Sequence, residues 1–212
     1  MPRAKAILQA EYPYNISARC INRDWFNVPM EKVWEIFCDE LDYATKEYNL
    51  VIHSFVLMSN HFHLIASTPD ANISQCMQQF MFRVSRRLTR AGNRINETFA
   101  GRHFKTILQT HKYYLNAYKY NYRNPVDAGI CEKAEDYEFS SLRMKLKLSP
   151  SKFPVCEDGT LYSDNEGTLR WLNTPSDPIK LEGYRWGIKR QYFKSKKHRN
   201  TNMPMLSDDD LL

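Results

Sequence analysis

Leu57-Met58-Ser59-Asn60-His61-Phe62-His63-Leu64-Ile65 reads as the end of one strand, a tight turn and the start of a second strand. Ser59-Asn60 supplies the turn chemistry. Residues 50–58 and 61–67 are dense in β-branched and aromatic types, so the two strands pair as a hairpin. Side chains alternate faces along a strand. His61 and His63 therefore share one face, and Phe62 and Leu64 point the other way, toward a core. Two imidazoles on one face make two legs of a metal site. Two are too few for a dedicated site, so a third ligand has to come from elsewhere in the chain.

Upstream of the hairpin, residues 12–23 alternate in part and read as a first strand, with Arg19 and Arg23 available to phosphates. Pro29 suits a helix start. Val33, Phe37, Leu41 and Ala44 then recur at helical spacing over 29–47. The opposite face, with Glu31, Lys32, Glu35, Asp39 and Glu40, reads as solvated. Downstream, Asn72 to Arg90 is the clearest helix. Asn72 and Gln75 resemble a capping box, and Ile73, Met77, Phe80, Met81, Val84 and Leu88 form an apolar stripe. Its other side carries Arg83, Arg86, Arg87 and Arg90, with Arg94 just beyond and no acid until Glu97. Solvated faces usually mix signs, so this ridge is expected to track phosphates.

Residues 99–108 read as a fourth strand. Thr110 caps a third helix over 111–124, which Asn124-Pro125 ends. The order strand, helix, strand, strand, helix, strand, helix is the split βαβ pattern of a ferredoxin-like sandwich with one extra helix. The expected class is α+β with an antiparallel sheet. It comprises a domain over 1–148 and a C-terminal extension over 149–212. In the extension, 149–181 look irregular. Residues 182–200 hold seven Lys/Arg against one acid, interleaved with Tyr184, Trp186, Tyr192 and Phe193. Such a cluster suits nucleic-acid contact through Lys189 and Arg190, and a basic disordered tail is the competing reading. The closing SDDDLL reads as loose.

Bulk properties agree. The chain has 212 residues, net charge +6 and a pI of about 9.0. That suits a nucleic-acid or acidic-membrane partner. Five cysteines at irregular spacing, with no C-x-x-C, indicate neither a disulfide framework nor a zinc knuckle, and point to the cytoplasm. No apolar run approaches membrane-spanning length, and Met-Pro-Arg-Ala-Lys lacks the apolar core of a signal peptide.

The third helix holds five tyrosines: Tyr113, Tyr114, Tyr118, Tyr120 and Tyr122. Leu115, Tyr118 and Tyr122 cluster on one side. Tyr120 lies roughly opposite with Asn124 one turn on, so the two can reach one point together. Lys112, Lys119 and Arg123 add cations for DNA. An Asn carbonyl with two neutral imidazoles, completed by water and phosphate oxygens, suits Mg²⁺ or Mn²⁺ rather than structural zinc. A phenol of pKa about 10 is a poor nucleophile unaided, and a metal on the scissile phosphate is a direct way to assist it. Tyr113 falls on the Tyr120 face and competes as nucleophile. Asn121 competes with Asn124 as ligand, with Gln109 and Glu132 further off.

Together, VLMSNHFHLI, a tyrosine helix ending YNYRNPVDAGI, and YEFSSL resemble the REP-associated tyrosine transposases, which are single-tyrosine HUH transposases of insertion sequences. The family's His–hydrophobic–His stands here as His61-Phe62-His63. Its Tyr-x-x-x-Asn-Pro stands as Tyr120 to Pro125. Ser59 replaces a common Pro, and Phe139-Ser140-Ser141 stands where Trp-Ser-Ser is usual. The resemblance covers roughly 12–145. It implies metal-dependent cleavage and rejoining of single-stranded DNA, often beside a hairpin, through a 5′-phosphotyrosine at Tyr120. His61, His63 and Asn124 would hold the metal. A homodimer is left open. The competing function is a domesticated relative that binds nucleic acid without cutting it.

Overall fold

The computed structural model describes residues 7–93, 97–208 and 210–212. Arg94, expected to extend the basic ridge, and the N-terminal Met-Pro-Arg-Ala-Lys lie outside the described residues. Four strands, β1 (Tyr14–Arg19), β2 (Val51–Leu57), β3 (His61–Ser67) and β4 (Phe104–Ile107), form one antiparallel sheet in the order β2-β3-β1-β4. Helix α1 (Met30–Tyr48) connects β1 to β2, and α2 (Ile73–Gly92) connects β3 to β4. This is the expected ferredoxin-like order.

The period-2 pattern decides which face each helix covers. Ile16, Ala18, Phe55, Leu57, Phe62 and Leu64 face α1 and α2 and are buried with them. Phe37 of α1 is central, with ring centroids 5.7–5.9 Å from Phe26, Phe55, Phe62 and Phe80. The opposite face carries Asn15, Ser17, Val56, His61, His63 and Ile65. It packs under α3 (His111–Asp127), and the short α4 (Ser141–Lys145) packs on β2.

Four details differ from the sequence reading. Asn72 does not cap α2 with its side chain; its amide Nδ2 donates to the Tyr48 carbonyl at 3.3 Å and ties the end of α1 to the start of α2. The fourth strand is cut to Phe104–Ile107, with Phe99 reaching the sheet through a single bridge to Cys20. Asn124-Pro125 does not end α3, which runs on to Asp127. Pro125 forfeits only one backbone donor there. The stop comes from Gly129 at φ +70, with Ile130 N–H to Pro125 O at 2.9 Å and Gly129 N–H to Val126 O at 2.9 Å.

The fourth difference is the extension, which is irregular over 149–158 but helical over much of 159–187. It contains α5 (Gly159–Tyr162), α6 (Asn165–Asn173) and α7 (Pro178–Gly187). Asp164 and Asp177 cap α6 and α7 with their side chains, and Pro178 sits at the first turn of α7. After α7 the chain runs along β4. Ile107 N–H donates to Gln191 O at 2.8 Å, Phe193 N–H to Ile107 O at 3.2 Å, and the Thr106 hydroxyl reaches the Ile188 and Arg190 carbonyls. These bonds cover an otherwise open sheet edge. Tyr184, Phe193, Leu206 and Leu212 are buried against α3. The last residues dock through Asn116, which accepts from Leu212 N–H at 2.8 Å and donates to Asp210 O at 3.0 Å.

Phe139-Ser140-Ser141 closes the other edge. Leu57 N–H donates to Phe139 O at 2.9 Å, and Phe55 N–H to Ser141 Oγ at 2.8 Å. Ser140 caps α4, and the Ser141 hydroxyl also meets the Tyr122 hydroxyl at 2.8 Å. None of the five cysteines is in a disulfide. No helix among the described residues is long and apolar enough to cross a membrane.

Candidate active site

The β2-β3 turn is held from the side. Cys20 N–H donates to Asn60 O at 2.8 Å, and Phe26 N–H to Ser59 O at 2.9 Å. Asn60 is thereby fixed, and its side chain does two things. Nδ2 donates to Arg23 O at 2.8 Å, which leaves Oδ1 to accept from His61 Nδ1–H, also at 2.8 Å. With Nδ1 carrying the proton, Nε2 of His61 keeps its lone pair. The Asn124 side chain lies near enough to His61 to raise its pKa against the effect of burial, so the helix residue comes beside the strand residue.

His63 lies deeper. Its ring sits 5.0 Å from that of His61, centroid to centroid. Both of its nitrogens are buried without a hydrogen-bond partner. Burial, reinforced by Arg19, holds the His61 pKa down to about 4; burial, with His61 and Arg19 adding to it, keeps that of His63 well below 6.5. Both imidazoles are neutral at neutral pH and can act as ligands. Arg19 stands directly across the β1-β3 ladder from His61.

Tyr120 completes the group. Its ring meets His63 edge-on, with centroids 5.6 Å apart and planes at 87°. Tyr184 of α7 packs on its other side at 4.8 Å. Tyr184 is fully buried, and its hydroxyl accepts from Asn15 Nδ2 at 3.3 Å. Asn15 Oδ1 in turn accepts from Asn121 Nδ2 at 3.1 Å. Tyr120 is thus clamped between a strand histidine and a tyrosine from the extension. The cleft in front has a volume of about 680 Å³ and is lined by His61, His63, Tyr120, Arg19, Arg23, Arg185 and Lys189 among others, with no carboxylate. Such a lining concentrates phosphate.

The competing assignments are separated by place. Tyr113 does not line this cleft; its hydroxyl is bonded to Asp208 and its ring packs on Phe193 at 4.4 Å. Asn121 is turned into the sheet toward Asn15. Gln109 donates to Phe193 O at 2.8 Å, and neither it nor Glu132 lines the cleft.

Several expected DNA contacts are corrected. Lys119 is 1% exposed, and its Nζ donates to Leu212 O at 2.7 Å. Arg123 is buried, bonded to Asp127 and to the Leu172 and Asn173 carbonyls. On α2, Arg83 and Arg87 pair with the buried Glu40 of α1, and Arg87 also with Asp39. Three of these four are thus neutralised by ion pairs, and Lys119 and Arg123 are sealed in. Arg86 and Arg90 stay exposed on α2 but do not line the cleft. Lys112 is half-buried on α3. Arg190 is exposed, with its guanidinium 3.9 Å over the Trp186 ring.

The sequence reading missed Asn60 as anything but a turn residue, missed Asn15 and Arg185, and placed Tyr184 only among the aromatics of a basic segment. Asn60 had a signal, since a side chain directly before a ligand histidine can orient it. The others come from remote elements, and no spacing rule connects them to residues 61–63.

The structure thus sets a His-x-His strand against a tyrosine-bearing helix across a ferredoxin-like sheet. Residues 14–117 match the family model described as "Transposase IS200 like". Over that span the chain is similar to the IS200-like transposases. The fold is similar to a solved structure titled as a REP-associated tyrosine transposase bound to a REP hairpin. The TM-score is 0.59 at 18% identity, covering 74% of this chain and 94% of the other. Among curated protein sequences none matches significantly.

Proposed function

We propose that this protein cleaves and rejoins single-stranded DNA next to a hairpin, with Tyr120 as the nucleophile. The carrying observation is the edge-on contact of Tyr120 with His63 in a cleft whose charged lining residues are all cations. The hairpin-bound relative supports the choice of DNA as substrate.

A divalent cation fits the donor set. His63 has two unpartnered buried nitrogens, His61 has its Nε2 lone pair free of the proton, and the Asn124 side chain lies beside His61. Among the described residues no cluster of three His, Cys, Asp or Glu exists, so a closed zinc site is not supported. His61, His63 and Asn124 would hold Mg²⁺ or Mn²⁺. When bound, the ion supplies charge neutralisation at the phosphate.

The chain's own residues do the rest. Arg19, Arg23, Arg185 and Lys189 draw the phosphodiester into the cleft. The His63 and Tyr184 rings hold Tyr120 in one orientation. The phenol oxygen bonds to phosphorus, its proton leaves to water, and the P–O3′ bond breaks. The departing oxygen takes a proton and becomes a 3′-hydroxyl. The phosphate stays on the 5′ carbon as a phosphotyrosine, so a second 3′-hydroxyl can reverse the exchange without an external energy source.

The test is adduct formation with labelled single-stranded hairpins and Mg²⁺. Wild type is expected to give a covalent band that survives denaturation. Tyr120→Phe is expected to bind with unchanged affinity and give none. Adducts from Tyr120→Phe, or equal cleavage by wild type in excess EDTA, would overturn the reading.

A further inference from the structure

A second groove, of about 510 Å³, runs from the candidate active site toward the outer edge of β4. It shares Arg19, Ala100, Phe104 and Lys189 with the cleft, so the two are continuous. Beyond that shared wall it adds Arg102, His103, Lys105 and Arg190, and no carboxylate lines it. Its frame is ordered, since Ala100 N–H donates to Arg19 O at 2.9 Å and Lys105 Nζ reaches the Ser74 hydroxyl.

Phe104 is the unusual member. It opens β4 opposite Ser17, on the sheet face that carries His61 and His63. Two residues on, Thr106 is sealed under the segment that follows α7. Phe104 lies just outside that cover and is 67% exposed. A single exposed phenyl ring is ordinary on a protein surface. One standing at the junction of a phosphate cleft and a cationic groove, with arginines on either side, has the composition of a base-stacking platform.

We propose that this groove is a second subsite for unpaired DNA: it takes the nucleotides that continue from the scissile phosphate, with a base stacked on Phe104 and Arg102 and Arg190 on the flanking phosphates. The occupant is single-stranded because a base offers its face to a side chain only when it is out of the duplex stack. The proposal rests on the reading of the Tyr120 cleft as a phosphodiester site.

Fluorescence anisotropy in the Tyr120→Phe background tests it with three labelled probes: a thymidine 12-mer, an abasic 12-mer of the same backbone, and a 12-base-pair duplex. Phe104→Ala is expected to weaken binding of the thymidine strand about tenfold, to leave the abasic strand and duplex unchanged, and to be rescued by Phe104→Trp. Arg102→Ala is expected to weaken both single strands and to lower the salt slope. Since Phe104 is exposed, its variants should melt with wild-type Tm. Wild-type-like binding of the thymidine strand by Phe104→Ala, or an equal loss on all three probes, overturns the subsite. If native Tyr120 protein forms no adduct on any hairpin but the base-dependent Phe104 effect remains, the cleavage reading fails and the groove stands.

Discussion

Asn60 is the residue through which the hairpin orients its own ligand. By giving Nδ2 to Arg23 O it leaves only Oδ1 for His61, and so selects the tautomer with a free Nε2. Asn60→Ala is expected to lower Mn²⁺ affinity by about ten- to a hundredfold, read by electron paramagnetic resonance titration. Unchanged affinity would remove Asn60 from the site. Tyr184 makes a matching prediction for the nucleophile. Tyr184→Phe keeps the ring against Tyr120 and loses only the hydroxyl contact with Asn15, so its adduct rate should stay close to wild type. Tyr184→Ala removes the wall and should slow adduct formation by tenfold or more. Equal rates for the two variants would mean that the ring does not position Tyr120. That His61 and His63 share a strand face, and Tyr120 and Asn124 a helix face, could be read from the sequence because strand and helix periods are local; the resemblance then chose among the tyrosines and asparagines. The roles of Tyr184 and Asn15 could not, because they depend on how α7 packs.

Helix α2 shows where a local reading fails. Its arginines face one way, as their spacing predicts, and in isolation they look like an uncompensated ridge. The acids that answer them, Asp39 and Glu40, belong to α1, more than forty positions upstream. Only packing brings them together. Arg83→Ala and Arg87→Ala are therefore expected to lower Tm without changing the salt dependence of DNA binding. Glu40→Ala should be worse, costing about 2 kcal/mol after solvent screening, because it removes the carboxylate that Arg83 and Arg87 share and leaves Arg87 only Asp39. A reduced salt slope for Arg83→Ala would restore the phosphate-tracking role. The extension failed for the opposite reason. Its local signals, Asp164 before α6 and Asp177-Pro178 before α7, were present, but the Pro, Ser, Asp and Gly content of 149–181 pointed to irregular chain. At Asn124-Pro125 the dipeptide signalled a stop one turn early, because the Gly129 motif beyond it satisfies the helix end.

For the whole molecule, the split βαβ order was legible because each helix is periodic and the strands are rich in β-branched and aromatic residues, and it led to the ferredoxin-like class without side-chain detail. The extension's place was not legible, although it matters to any deletion experiment. Tyr184, Phe193, Leu206 and Leu212 fill the core beside α3, so removing 182–212 should destabilise the protein rather than only weaken DNA binding. Lys189→Ala with Arg190→Ala is the cleaner probe, expected to lower the salt slope by about 0.7 per lost contact on a single strand. Stability should also follow pH. His53, His61 and His103 are each held down to about 4, chiefly by burial. Above pH 6.5 these groups are neutral in both states and their contribution is fully present. As pH falls from 6.5 toward 4, the unfolded chain takes up protons that the folded chain refuses, and stability drops. Tm of the metal-free protein should decline steadily across that window; a flat profile would contradict the burial of these neutral rings. The central claim is that Tyr120, and no other of the clustered tyrosines, takes the phosphate. Protease digestion and mass spectrometry of a protein–hairpin adduct test it most directly: the nucleotide mass should sit on Tyr120, and a modified Tyr113 with an unmodified Tyr120 would contradict the account.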